Sequence, residues 1–189
     1  MKNLLFILLS VFPTCHHCEP QTFDAGPLPE KASLMVPYAD GSQIKLNHSN
    51  GKTITFQVSR EVRSKEETFC DDCCTTFKFE EDKTLLTPDY PIADISLNIL
   101  NYDTAHYSCE ILIDRGYFLV PEPDDPYHDP FLKDSIKIGG KYYNDVYCLS
   151  NQNSYMNENP VTYDSLYYNY AEGILKIVMT NSESYEITD

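Results

Sequence analysis

Apolar and polar residues alternate one for one along most of this chain, the pattern of strands with one buried and one wet face. Ile44 and Leu46 flank Lys45, and Ile54, Phe56 and Val58 interleave with Thr53, Thr55 and Gln57. Phe77 and Phe79 flank Lys78, Ile95, Leu97 and Ile99 flank Ser96 and Asn98, and Tyr107, Cys109, Ile111 and Ile113 share a face. Between these runs stand dipeptides that tolerate positive φ: Asp40-Gly41, Asn50-Gly51 and Gly139-Gly140, with Gly173 closing a loop before Ile174–Met179. The run Arg60–Glu67 breaks the pattern and reads as a short helix or a charged loop. The expectation is an all-β domain over residues 33–189, an antiparallel meander of about nine to eleven strands forming a curled sheet, a sandwich or a small barrel.

The first residues follow a different grammar. Lys2 precedes the apolar run Leu4–Phe12, which is about half the length a membrane-spanning helix needs, so residues 1–14 read as an export signal. Cys15 follows Pro13-Thr14 where a bacterial lipoprotein would be cut and acylated, although the residues before it are not the usual small ones; Cys18 fits less well. Residues 15–32, with three prolines between Pro20 and Pro29, read as an anchor and an extended spacer. The implied address is a lipid anchor on the outer membrane, facing periplasm or exterior, with simple secretion as the alternative.

Charge and cysteine content narrow the chemistry. With 14 basic and 29 acidic residues the chain carries a formal charge of −15, which disfavours nucleic acid or an anionic lipid surface as the main partner. Of the seven cysteines, Cys70, Cys73, Cys74, Cys109 and Cys148 fall in the domain, and in an oxidising compartment they are candidates for disulfides. Cys109 and Cys148 lie on the apolar parity of their strands, with Ile111 and Val146, so both are expected to point inward. Zinc or redox chemistry at Cys70-Asp-Asp-Cys73-Cys74 is the weaker reading, because Thr75–Phe79 after it is strand-like and offers no helix to depress a thiol pKa. His16-His17-Cys18 implies no preorganised metal geometry, and the acidic stretch 122–130 lacks the glycine and ligand spacing of a calcium loop.

Fifteen tyrosines and no tryptophan raise the question of a sugar-stacking face, and Tyr143, Tyr147, Tyr168 and Tyr170 are the candidate ligand face on the C-terminal strands. Cross-strand packing accounts for the same enrichment without a ligand. Nucleophile-elbow, zinc-protease, phosphate-loop and dinucleotide motifs are absent from the sequence, so no catalytic residue, metal or cofactor is assigned.

The leader ending at Cys15, the segment Ile136-Lys-Ile-Gly-Gly-Lys-Tyr-Tyr-Asn-Asp-Val-Tyr147 and the ending Ser165-Leu-Tyr-Tyr-Asn-Tyr-Ala-Glu-Gly-Ile-Leu-Lys-Ile177 resemble the uncharacterised small lipoproteins of Bacteroidetes-type bacteria. The resemblance covers the signal and the last part of the chain, and it implies a location and a hairpin geometry rather than a reaction. The sequence therefore predicts an exported, lipid-anchored envelope protein serving as a non-catalytic binding or structural module, with the membrane and a protein or glycan as partners. A secreted hydrolase or a carbohydrate-binding protein is the alternative.

Overall fold

The computed structural model describes residues 19–70, 74–101, 103, 106–123, 131–153 and 162–188; the leader, Cys15, Cys18, Cys73 and most of the acidic stretch 122–130 lie outside them. Among the described residues are twelve strands: β1 (Gln21–Asp24), β2 (Gln43–His48), β3 (Thr53–Cys70), β4 (Cys74–Pro88), β5 (Ile95–Asn101), β6 (Tyr107–Ile113), β7 (Gly116–Val120), β8 (Leu132–Ile138), β9 (Lys141–Ser150), β10 (Tyr163–Asn169), β11 (Gly173–Met179) and β12 (Ser184–Ile187). A short 3₁₀ helix spans Glu30–Met35. The strands form one curled antiparallel sheet in the order β7-β6-β5-β4-β3-β2-β12-β11-β10-β9-β8, so the all-β expectation holds. Among the described residues the one parallel pairing is β1 against β4.

The turns fall where the dipeptides place them. Gly139 and Gly140, at φ 58° and 94°, join β8 to β9, with Ile138 directly across from Lys141. The sheet curls into a half-barrel, as accumulated strand twist requires of so many strands. Its two halves meet again at buried Asn151, whose side-chain oxygen accepts from Tyr117 N–H (3.1 Å) and whose amide donates to the Tyr163 carbonyl (2.7 Å).

The inner face carries the principal core, including Leu46, Phe56, Leu97, Ile111, Phe118 and Leu166, all essentially fully buried. Between Phe56, Tyr163, Ile177 and Tyr185 the free space is only ≈ 10 Å³, at the limit of what one water needs, so this part of the core is filled. A smaller cluster, Ile138, Tyr143, Val146 and Leu175, packs separately. Asp145, at φ 52°, interrupts the alternation of β9 between the two: Tyr147 and Leu149 join the principal core, whereas Tyr143 and Val146 join the second.

Three expectations change. From residue 21 on, the proline-rich stretch is no free spacer: residues 21–24 are a strand and Ala32 belongs to the core, as do Met35, Val36 and Tyr38 just beyond it. The Tyr168 hydroxyl donates to the Met35 carbonyl and seats this segment on the inner face. Arg60–Glu67 is neither helix nor loop but the middle of β3. Cys148 does not point into the principal core with Val146, because the Asp145 irregularity separates the two clusters; it is only partly buried.

Candidate functional site: the β3–β4 arm

β3 and β4 are far longer than their neighbours, at 18 and 15 residues. β5 accompanies β4 only from Glu81 to Leu86, and β2 accompanies β3 only from Thr53 to Gln57. The remainder, Ser64–Cys70 with Cys74–Glu80, continues beyond the body as a two-stranded arm. Isolated two-stranded ribbons are marginal in water, and this one is reinforced in four ways.

At its tip a disulfide joins Cys70 to Cys74, the last directly opposed pair of the ladder. Along its stem, charged side chains face one another across the strands: Arg63 Nε to Glu81 (2.7 Å), Lys65 Nζ to Glu81 (2.9 Å) and Lys78 Nζ to Glu66 (3.7 Å). Burial pushes the Glu81 carboxyl up, but the hydrogen bonds and charges of Lys65 and Arg63 outweigh it and hold the group below its ordinary value. Along one edge, β1 pairs in parallel with the outer part of β4, Gln21 opposite Thr75 through Asp24 opposite Lys78.

At the base, two side chains fasten the arm to the body. The Arg60 guanidinium grips buried Asp82 through Nε (2.9 Å) and Nη2 (2.6 Å), and donates to the carbonyls of Val36 (3.0 Å) and Tyr38 (3.1 Å). Asn101 fills the junction where β4 exchanges β1 for β5: its oxygen accepts from Glu80 N–H (3.0 Å) and its amide donates to the carbonyls of Ala25 (3.0 Å) and Gly26 (2.8 Å). Each backbone group here would otherwise lack a partner at the point where the ladder changes hands.

Phe23 lies directly opposite Phe77, and Phe69 lies diagonally across from Phe77 on the same face, so the three come together on the outer side of the arm. The Phe23 and Phe77 rings stack at 5.5 Å, and Phe69 meets Phe77 edge-on at 5.9 Å. These rings are 53%, 38% and 59% exposed for Phe23, Phe77 and Phe69, a large apolar surface to leave in water. They line a shallow groove of ≈ 390 Å³ that continues past Phe79 and Lys65 toward Leu100. Chemically the arrangement offers apolar contact, with Lys65 and Glu67 at its rim.

The residues singled out from the sequence fall elsewhere. Cys15 and Cys73 lie outside the described residues. Cys109 is a free thiol deep in the core, and burial, together with the charges of Asp82 and Glu110, pushes its pKa far up; Cys148 is a free, partly buried thiol, also pushed up by burial. The tyrosines do not make an exposed platform: Tyr168 is fully buried, Tyr143 and Tyr147 are buried, and Tyr170 donates its hydroxyl to the Pro121 carbonyl (2.6 Å). Tyr147, Tyr170 and Tyr168 pack against one another in sequence, at 5.3 Å and 6.3 Å, as core rings do.

Among the described residues two imidazoles approach acids. His106 Nδ1 lies 2.8 Å from Asp103 in an open turn, and the hydrogen bond to Asp103 raises its pKa. His48 Nε2 lies 3.8 Å from Glu183 with its ring edge-on to Tyr185. Among the described residues no group of three or more His, Cys, Asp or Glu is placed to hold a metal ion. No described helix is long and apolar enough to cross a membrane.

Comparison with protein-family models, with curated proteins and with solved structures found no match. The aromatic patch went unseen in the sequence because its three members come from three strands. The one local signal was Phe69 immediately before Cys70, with Phe77 a few residues beyond Cys74.

Proposed function

We propose that this chain is an exported, non-catalytic module of a bacterial cell envelope, tethered through a lipid on Cys15 and presenting the β3–β4 arm as its working surface. The observation that carries this reading is the arm itself: a projecting ribbon, cross-linked at Cys70–Cys74 and bearing exposed Phe23, Phe69 and Phe77. A disulfide between two strands at an exposed tip fits an oxidising compartment, as does the apolar run that precedes Cys15. Tyr143, Tyr147 and Tyr168 are buried and offer no stacking face to a glycan.

The tether is tested by labelling cells with a radioactive fatty acid and comparing the wild type with Cys15→Ser. Label in the wild type and none in the variant is expected. Label retained by the variant removes the anchor from Cys15.

A further inference from the structure

We infer that the tip of the β3–β4 arm rests on the lipid bilayer, with Phe23, Phe69 and Phe77 entering the interface between headgroups and acyl chains; this rests on the anchor at Cys15 proposed above. The argument begins with the direction of β1. Because β1 runs parallel to β4, with Gln21 opposite Thr75 and Asp24 opposite Lys78, the chain enters the fold beside Cys74, at the far end of the arm. Six peptide links separate Cys15 from Gln21, which reach about 20 Å fully extended. A lipid on Cys15 therefore holds the arm tip, rather than the body, against the membrane.

Nothing downstream lengthens this tether. Ala25 N–H donates to the Lys78 carbonyl (2.9 Å), Leu28 N–H to Glu80 (2.9 Å), and Asn101 holds the carbonyls of Ala25 and Gly26. Pro27 and Pro29, which resembled a spacer, thus lie in a segment fastened to the arm and body.

With Asp71 and Asp72 in the sequence between Cys70 and Cys74 beside the three phenylalanines, the tip suits only a lipid surface of low charge. A chain of formal charge −15 is repelled by anionic lipid, so the contact must be apolar. Three exposed phenylalanines concentrated on one face supply that contact, at the depth where amphipathic segments insert. A lipid anchor and an apolar patch act on the same attachment, the anchor holding the chain at the bilayer and the patch setting which face meets it. The disulfide and the stem ion pairs keep the ribbon from fraying as it is pressed against the interface.

The chain contains no tryptophan, so a single introduced one reports its own surroundings. Full-length Phe69→Trp, purified from membranes in its mature form, is reconstituted into phosphatidylcholine vesicles containing phosphatidylcholine with a doxyl quencher near the headgroup. Tyr90→Trp is the control, just past the opposite end of β4, whose 15 residues run about 50 Å at 3.3 Å each. Phe23→Trp is a second reporter should Phe69→Trp fail to fold.

The expected result is a blue-shifted emission that loses about half its intensity to the quencher for Phe69→Trp, and little loss for Tyr90→Trp, given insertion at interfacial depth. With the acyl mass present on Cys15, an unquenched Phe69→Trp overturns the inference and leaves the anchor standing. Equal quenching at both positions overturns it too, because the arm then has no preferred orientation. A blue shift that grows with protein concentration and ignores the lipid quencher assigns the patch to a second copy instead. Absence of the acyl mass from Cys15 overturns the anchor and this inference together.

Discussion

Gly173 turns β10 into β11 at φ 81°, and a methyl group there would fall within 3.0 Å of three Tyr38 atoms, the hydroxyl oxygen among them. That hydroxyl accepts the Ile174 N–H at 2.6 Å in the buried core. Gly173→Ala therefore imposes two penalties. A left-handed backbone costs an alanine about 1–2 kcal/mol. Displacing Tyr38 leaves a buried N–H without its acceptor, for a further ~1–3 kcal/mol. The sum is roughly 2–5 kcal/mol, a large fraction of the stability of a domain this size. Gly41→Ala is the matched comparison, since Gly41 sits at φ 73° with nothing within 4 Å of the added methyl and should show the backbone penalty alone. Urea unfolding followed by tyrosine fluorescence measures both, and Tyr38→Phe combined with Gly173→Ala should cost less than the two single changes added, because both act on the same hydrogen bond. Equal losses for Gly173→Ala and Gly41→Ala, or strict additivity in the double variant, would refute this account of the turn.

Glu81 carries a pH dependence with a definite sign. Its carboxyl is held below the ordinary 4.5 in the folded chain, so the stabilisation from Lys65 and Arg63 is present above that value and lost as pH falls through the lower folded pKa. The destabilisation caused by Glu81→Gln should thus be full near neutrality and shrink in acid; a difference constant across that range in denaturant titrations contradicts the pairing. Reducing Cys70–Cys74 releases a short ring whose closure is worth about 2 kcal/mol in chain entropy. Because the arm stands outside the core, amide exchange should quicken at Thr68, Phe69, Thr75 and Thr76 while the unfolding midpoint of the body scarcely moves, and a global collapse on reduction would argue otherwise. Cys109, buried and with its thiol pushed up, should resist iodoacetamide until the chain unfolds; rapid labelling of the native protein would contradict its placement.

Strands that bury one face announced themselves. β5 and β6 read buried and half-buried in strict turn, and their apolar period of two is visible by inspection. The arm escaped detection for the same physical reason that makes it interesting: Arg60–Glu67 has both sides wet, so hydrophobic alternation vanishes and the strand is held by opposed charges such as Glu66 with Lys78 instead. β1 was hidden among prolines because its partner, β4, lies some fifty residues away and is met in parallel, a pairing no local pattern encodes. The buried tyrosines misled in the opposite direction. Tyr168 shares the inward parity of Leu166 on β10, and the 3₁₀ segment and the Pro121 carbonyl cover the hydroxyls of Tyr168 and Tyr170, a tertiary cover that is not written in periodicity.

The strand order divides the chain at one seam. β2 through β7 and β8 through β12 are each built from neighbours in sequence, and the halves join where β12 meets β2, through Tyr185 with His48, Glu186 with Asn47 and Ile187 with Leu46. They join again where Asn151 meets Tyr117. Neither half can shelter its inward residues alone, since Phe56 and Leu97 come from one and Leu166 and Ile177 from the other. A cut between Val120 and Leu132 would therefore leave every sequential hairpin intact while turning the seam and the shared core into an intermolecular interface. The two pieces become natural candidates for a split reporter that regains its shape only on meeting.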